Sequence, residues 1–138
     1  LILRLSENFT IIKSPDSVYD VIEKENFGLY IDKEWYRLKY KSNAGGLLDV
    51  EIIEKEIIKN VFGINDSRTD SQIAFHPYTK GEKELCSLID KDIYKIAITN
   101  KPCDFSDVRR ISDDNKTLPP KSTYIEPKLR SGMIIQEF

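Results

Sequence analysis

Residues 27–40, FGLYIDKEWYRLKY, decide the fold. Two runs rich in aromatic and branched residues, 27–31 and 35–40, flank Asp32-Lys33, and a gap that short predicts a β-hairpin. In the second run Tyr36, Leu38 and Tyr40 alternate with Arg37 and Lys39, the period of two expected of a strand with one buried face. A hairpin is antiparallel. The sheet that contains it is therefore not the all-parallel sheet of a doubly wound protein.

Working outward, residues 1–8 read as the end of a helix and 9–13 as a short strand. Ser14-Pro15 looks like a helix start, a hydroxyl cap followed by proline at the first helical position, with Val18, Val21 and Ile22 at helical spacing behind it. On the other side of the hairpin, 43–46 is a turn and the strongest helical pattern runs from 50 to 62. Asp49 is its expected cap, and Val50, Ile53, Ile57 and Val61 form its apolar stripe, widened by Ile52 and Ile58. Glu51 and Lys55 stand one turn apart on the wet face, and Gly63 ends the helix. A strand is expected at 72–76. Thr79 and Glu82 have capping-box spacing ahead of Leu85, Leu88 and Ile89. Further on come a strand over 93–99, a helix over 105–112 capped by Asp104, and a closing strand over 132–138. Helices and strands that alternate around an antiparallel hairpin predict an α+β fold, a mixed and largely antiparallel sheet with helices packed on it.

The 138 residues suit one domain, and 40% hydrophobic with 32% charged residues is the composition of a globular protein. The net charge of -2 disfavours a nucleic-acid binder. Two cysteines, Cys86 and Cys103, make no disulfide scaffold and have no metal-ligand spacing, which points to a reducing, cytoplasmic setting. No apolar run is long enough to cross a bilayer. The first residue is Leu1 and the chain opens as though entered from upstream, so a piece of a longer protein is expected, with part of any active site on the missing side.

Residues 118–132, LPPKSTYIEPKLRSG, form the leading candidate site. Prolines stiffen the backbone without making a helix. On that stiff strip Lys121, Lys128 and Arg130 supply positive charge, with Lys116 just before, and Ser122 and Thr123 supply hydroxyls. Glu126 is the only acid between Lys116 and Arg130. Arginine suits bidentate contact with phosphate or carboxylate, and lysine acts as a point charge. The competing reading is a solvated charged loop whose prolines protect a sheet edge. NDSRTD, 65–70, comes second. Asp66 and Asp70 can hold Arg68, or the acids can ligate Mg²⁺ through waters, but turn chemistry alone explains all six residues. His76 is the single histidine. It cannot build a zinc site, and a loop hydrogen bond accounts for it better than a role as general base. Trp35, Tyr36 and Tyr40 fit a half-buried hairpin better than a base-stacking platform. Cys86 falls on an apolar helix face, and nothing marks Cys103 as a nucleophile. No phosphate-cradling GxxxxGK loop, GxGxxG motif or GxSxG elbow occurs.

The same strip, with IEKEIIKNVFGINDSRTD before it, resembles the C-terminal half of the family catalogued as domain of unknown function 1015. Members typically show a methionine-proline-x-lysine-serine-threonine run, an aromatic-x-proline-lysine step and a serine-glycine. Pro119, Pro120, Lys121, Ser122 and Thr123 match the first part, and Pro127, Lys128, Ser131 and Gly132 match the rest. Leu118 stands for the methionine and Ile125 for an aromatic. The helix ending at Gly63 and the run Asp66-Ser67-Arg68-Thr69-Asp70 match the middle of that half. In full-length relatives an N-terminal half carries a glycine-histidine-histidine-arginine signature like that of the ParB and sulfiredoxin superfamily, which includes free-serine kinases. That signature is absent here.

The resemblance implies a nucleotide-dependent phosphotransferase acting on a small molecule such as an amino acid, with ATP or ADP and Mg²⁺ as cofactors of the longer protein. In it, Lys121, Ser122, Thr123, Glu126, Lys128, Arg130 and Arg68 bind an anionic ligand or nucleotide, while the base and metal ligands lie mainly in the missing half. The alternative is a non-catalytic interaction or regulatory module that packs on that N-terminal half or on a second copy.

Overall fold

The structure is a computed structural model that describes residues 1–119. The expected strand over 132–138 lies outside the described residues.

Helix α1 (Ile2–Asn8) runs directly into strand β1 (Phe9–Ser14). Strands β2 (Asn26–Ile31) and β3 (Glu34–Tyr40) form the hairpin, with Ile31 and Glu34 as the closing pair. Asp32 and Lys33 both take positive φ, 51° and 64°, as a two-residue type I′ turn requires. Strand β4 (Ala97–Asn100) pairs with β2, and β1 pairs with β3, giving the order β1-β3-β2-β4. Each of these pairings is antiparallel. The fold is α+β.

Both faces of the sheet are covered over β2, which explains why that strand is buried almost throughout. On one face Phe9, Phe27, Leu29 and Leu38 pack with Leu5 of α1 and with Ile52, Ile57 and Val61. On the other, Tyr30, Trp35 and Ala97 pack with Val18, Val21 and Leu85 of helix α3 (Glu82–Asp90). Trp35 and Tyr36 thus point to opposite sides, as alternation demands.

Several elements depart from the sequence pattern. No helix follows Ser14-Pro15. Ser14 closes β1, and residues 15–25 cross the sheet as irregular chain that buries Val18 and Val21 and leaves Ile22 80% exposed. The Val18 carbonyl accepts a hydrogen bond from Thr99 Oγ1 at 2.8 Å, directly over Gly28. That sheet contact replaces the bond a helix would have made.

The helix expected over 50–62 begins as α2 (Asp49–Ile52) and continues as a π-helix over Ile53–Lys59. Bonds from Asn60 N–H to Lys55 O and from Phe62 N–H to Ile57 O span five residues. Five-residue spacing brings Ile52 and Ile57 onto one face, so Val50 and Ile53 are only half-buried. Asp49 is not the cap. Leu48 holds that position and Glu51 accepts its amide at 2.8 Å, which takes Glu51 away from Lys55. Lys55 pairs instead with buried Glu56.

No strand forms over 72–76, where a few exposed residues make no ladder. Thr79 falls in a short 3-10 turn, Tyr78–Lys80, so α3 starts after Gly81 rather than from a capping box. Of the strand expected over 93–99 only the end pairs, since the chain leaving α3 turns through Asp92 at φ 59°. Helix α4 spans Phe105–Asp113 behind Asp104, whose carboxylate holds Lys101 at 2.8 Å and makes no cap bond.

Candidate functional site

Of the seven ligand-binding residues expected from sequence, Arg68 falls within the described part. Lys121, Ser122, Thr123, Glu126, Lys128 and Arg130 lie outside the described residues. The site is therefore built from Arg68 and from the chain that leads towards the strip.

The turn after the π-helix is local chemistry of short polar side chains. Asp66 Oδ1 accepts the Arg68 amide at 3.0 Å, and its carboxylate also takes Arg68 Nε at 2.9 Å and Nη2 at 3.1 Å. Hydrogen bonding to the guanidinium holds the Asp66 carboxyl below the usual carboxylate range. Asp70 takes no part in holding Arg68. It accepts the Gln72 amide at 2.8 Å. The turn reading of NDSRTD is thus right for Asp70, and Asp66 both makes the turn and orients Arg68.

This turn forms one side of a cleft of about 340 Å³. Glu51 and Glu54 of the helix above it, Asn65 to Arg68, and Thr117 to Pro119 line it. The structure therefore brings the start of the proline strip to Arg68. Nothing in the residue pattern hints at this proximity, because nearly fifty residues separate the two. Ser67 is 2% exposed, and among the described residues its Oγ has no hydrogen-bond partner. Nothing in the pattern singled it out, since a serine inside a turn run reads as a turn former.

A second cleft, about 380 Å³, opens between the 44–49 loop, Lys101 to Cys103 and α4. Sequence reasoning missed it entirely. Lys24 Nζ bonds Asp107 Oδ2 at 2.8 Å, which raises the lysine, and Arg110 bridges from α4 to the Gly46 carbonyl at 3.1 Å. Asp49 is 8% exposed and accepts the Glu25 amide at 2.9 Å. Burial pushes its carboxyl upward, and burial likewise raises the Cys103 thiol. Lys24, Lys101 and Arg110 meet Glu25, Asp49 and Asp107 around this cleft, so its charges balance. A thiol raised by burial is a poorer nucleophile than a free one.

His76 Nε2 lies 3.2 Å from the Gly81 carbonyl, an ordinary loop contact. Among the described residues no group of three or more His, Cys, Asp or Glu side chains is placed to hold a metal ion. No helix there is long and apolar enough to cross a membrane.

Comparison with known proteins yields no match to any family model, any curated protein or any solved structure.

Proposed function

We propose that this chain supplies the anion-binding segment of a nucleotide-dependent phosphotransferase for a small molecule, as the C-terminal half of a protein of the domain-of-unknown-function-1015 type in a reducing, cytoplasmic setting. One observation supports the reading. Arg68, its guanidinium already oriented by Asp66, shares a cleft with Thr117 to Pro119, and Lys121 follows two residues later. Lys121, Lys128 and Arg130 then hold phosphate oxygens, Ser122 and Thr123 donate hydrogen bonds, and Glu126 joins them in the ligand-binding set.

The charges of the cleft assign the work. Glu51, Glu54 and Asp66 outnumber Arg68 on its described walls, so attraction for an anion must come from the lysines and arginine of the strip. A nucleotide arriving with Mg²⁺ is better matched to those acids than a bare phosphate, because the metal neutralises part of its charge. The groups that activate the acceptor belong to the preceding half, so the segment binds without turning over.

The test is titration of the 138-residue chain with ATP, ADP and phosphoserine, with and without Mg²⁺, repeated with Lys121→Ala and Arg130→Ala. Each substitution is expected to weaken binding by about tenfold or more, the loss of one charge-assisted contact. Binding unchanged in both variants removes the strip from the site.

The interaction-module reading draws on a different feature. Leu3 is 84% exposed on α1, beside half-exposed Leu1 and Ile2. The uncovered part of the sheet itself is polar, with Thr10, Arg37 and Lys39 around a single exposed Ile12, and lends that reading no support. Sedimentation of the chain as a dimer that Leu3→Glu dissociates would favour it.

A further inference from the structure

We propose that the cleft between the 44–49 loop, Lys101 to Cys103 and α4 binds a small organic cation, a primary ammonium on a short carbon chain, with the Asp49 carboxylate as its anchor. Asp49 is 8% exposed, and one of its oxygens, Oδ1, accepts the Glu25 amide at 2.9 Å. The other, Oδ2, has no hydrogen-bond or ion-pair partner among the described residues. Ser67 Oγ is the sole buried side-chain oxygen or nitrogen there that is both sealed from solvent and unpaired, so Asp49 Oδ2 is not sealed. It opens on the cleft that Asp49 lines. Glu25 lines the same cleft, and its carboxylate also lacks a partner among the described residues. Burial raises the Asp49 carboxyl, and the nearby Glu25 charge adds to the rise. A buried carboxylate without a cation is costly, and a guest that brings one relieves the cost.

The bases around the cleft are committed. Lys24 holds Asp107 at 2.8 Å, Lys101 holds Asp104 at 2.8 Å, and Arg110 donates to the Gly46 carbonyl while lying 3.8 Å from Asp107. With Asp104 counted, acids outnumber bases, and the surplus rests on Glu25 and Asp49. Ala44, Leu48 and Pro102 give the walls an apolar part for carbon, and about 380 Å³ is room for a small molecule. An ammonium suits this pair of carboxylates better than a metal ion, since no third ligand joins them among the described residues. The two clefts share no lining residue, so this site stands or falls separately from the anion strip.

The test is titration of the 138-residue chain, followed by NMR amide shifts, with butylammonium, putrescine and γ-aminobutyrate, which share the ammonium and differ at the far end. Butanol, which lacks the charge, is the control. At least one ammonium probe is expected to bind, and Asp49→Asn to weaken it by about tenfold or more, the loss of one charge-assisted contact. Asparagine keeps an acceptor for the Glu25 amide, so the fold is retained while the charge is lost. Glu25→Gln leaves Asp49 intact and is expected to weaken the same probe, which keeps the site testable should Asp49→Asn not fold. Glu7→Gln removes an exposed acid of α1 that lines neither cleft and should leave affinity unchanged. The probe that binds best tells a plain amine, a diamine and an amino acid apart. The proposal is overturned if no ammonium probe binds, if butanol binds as tightly as butylammonium, if Asp49→Asn leaves affinity unchanged, or if Glu7→Gln costs as much as Asp49→Asn.

Discussion

Alanine at position 28 is expected to cost the fold dearly, because a backbone carbonyl lies where its methyl must go. A Cβ built on Gly28 would stand 2.1 Å from Val18 O and 2.3 Å from Thr99 Oγ1. Those two atoms are the ends of one hydrogen bond, 2.8 Å long, so the methyl would be driven into it. Neither atom is the loose end of a flexible chain. The carbonyl is backbone, and the segment that carries it also buries Val18 and Val21 against Tyr30 and Trp35. Overpacking of this kind costs about 2 kcal/mol, and the lost Thr99 bond adds about 1 kcal/mol. Alanine recovers somewhat under 1 kcal/mol by restricting the unfolded chain. The net expectation is a loss of about 2–3 kcal/mol, a large share of a domain's stability. Urea denaturation of wild type and Gly28→Ala measures it. Adding Thr99→Ala removes one of the two clashes, so the double variant should regain part of the loss and no more. A Gly28→Ala protein as stable as wild type would mean that the 15–25 segment does not cross the sheet over Gly28.

Glu56 ties three elements together, accepting Asn8 and Asn60 amides at 2.9 Å and the Tyr40 hydroxyl at 3.3 Å. Glu56→Ala leaves Asn8 and Tyr40 unpaired near the core and should lower stability by about 2–4 kcal/mol in a chemical melt. Asp49 has the opposite sense. Burial raises its folded carboxyl pKa above the unfolded value, so its penalty is absent at low pH, sets in as pH rises past the unfolded pKa and is complete above the folded one. Asp49→Asn, which keeps an acceptor for the Glu25 amide, should therefore stabilise the chain at pH 7 and give no gain below the unfolded carboxylate pKa. Denaturation midpoints at the two ends decide it, and a gain at low pH contradicts the argument. Tyr30 is pushed up to about 12 by burial and by its bond to Asp90 at 3.0 Å. A phenolate absorbance titration should show one of the seven tyrosines ionising near there, and Tyr30→Phe should abolish that step.

The hairpin was readable because its signals are local. Alternation in 35–40 and the turn at Asp32-Lys33 involve neighbours only, and both appear in the structure. The 15–25 segment was misread because its valines, spaced for a helix, gain more by lying on Trp35, a contact that no spacing encodes. Asp49 shows the same limit, since a side chain that could cap its own helix instead accepts the amide of Glu25 on a crossing segment.

For the candidate site, the residue types of NDSRTD announced a turn, and Asp66 does hold Arg68. Chain chemistry within a few residues is enough for that. The cleft is another matter. It needs Glu51 and Glu54 from one helix, Ser67 from the turn and Thr117 to Pro119 from beyond α4. That Ser67's hydroxyl has no partner among the described residues is a property of that assembly, because whether an oxygen finds one depends on everything that folds around it. Sequence alone settled which stretches alternate, turn and carry charge. Burial, pairing and the meeting of distant segments were decided by packing, where many weak contacts compete and the winning set is defined only by the whole fold.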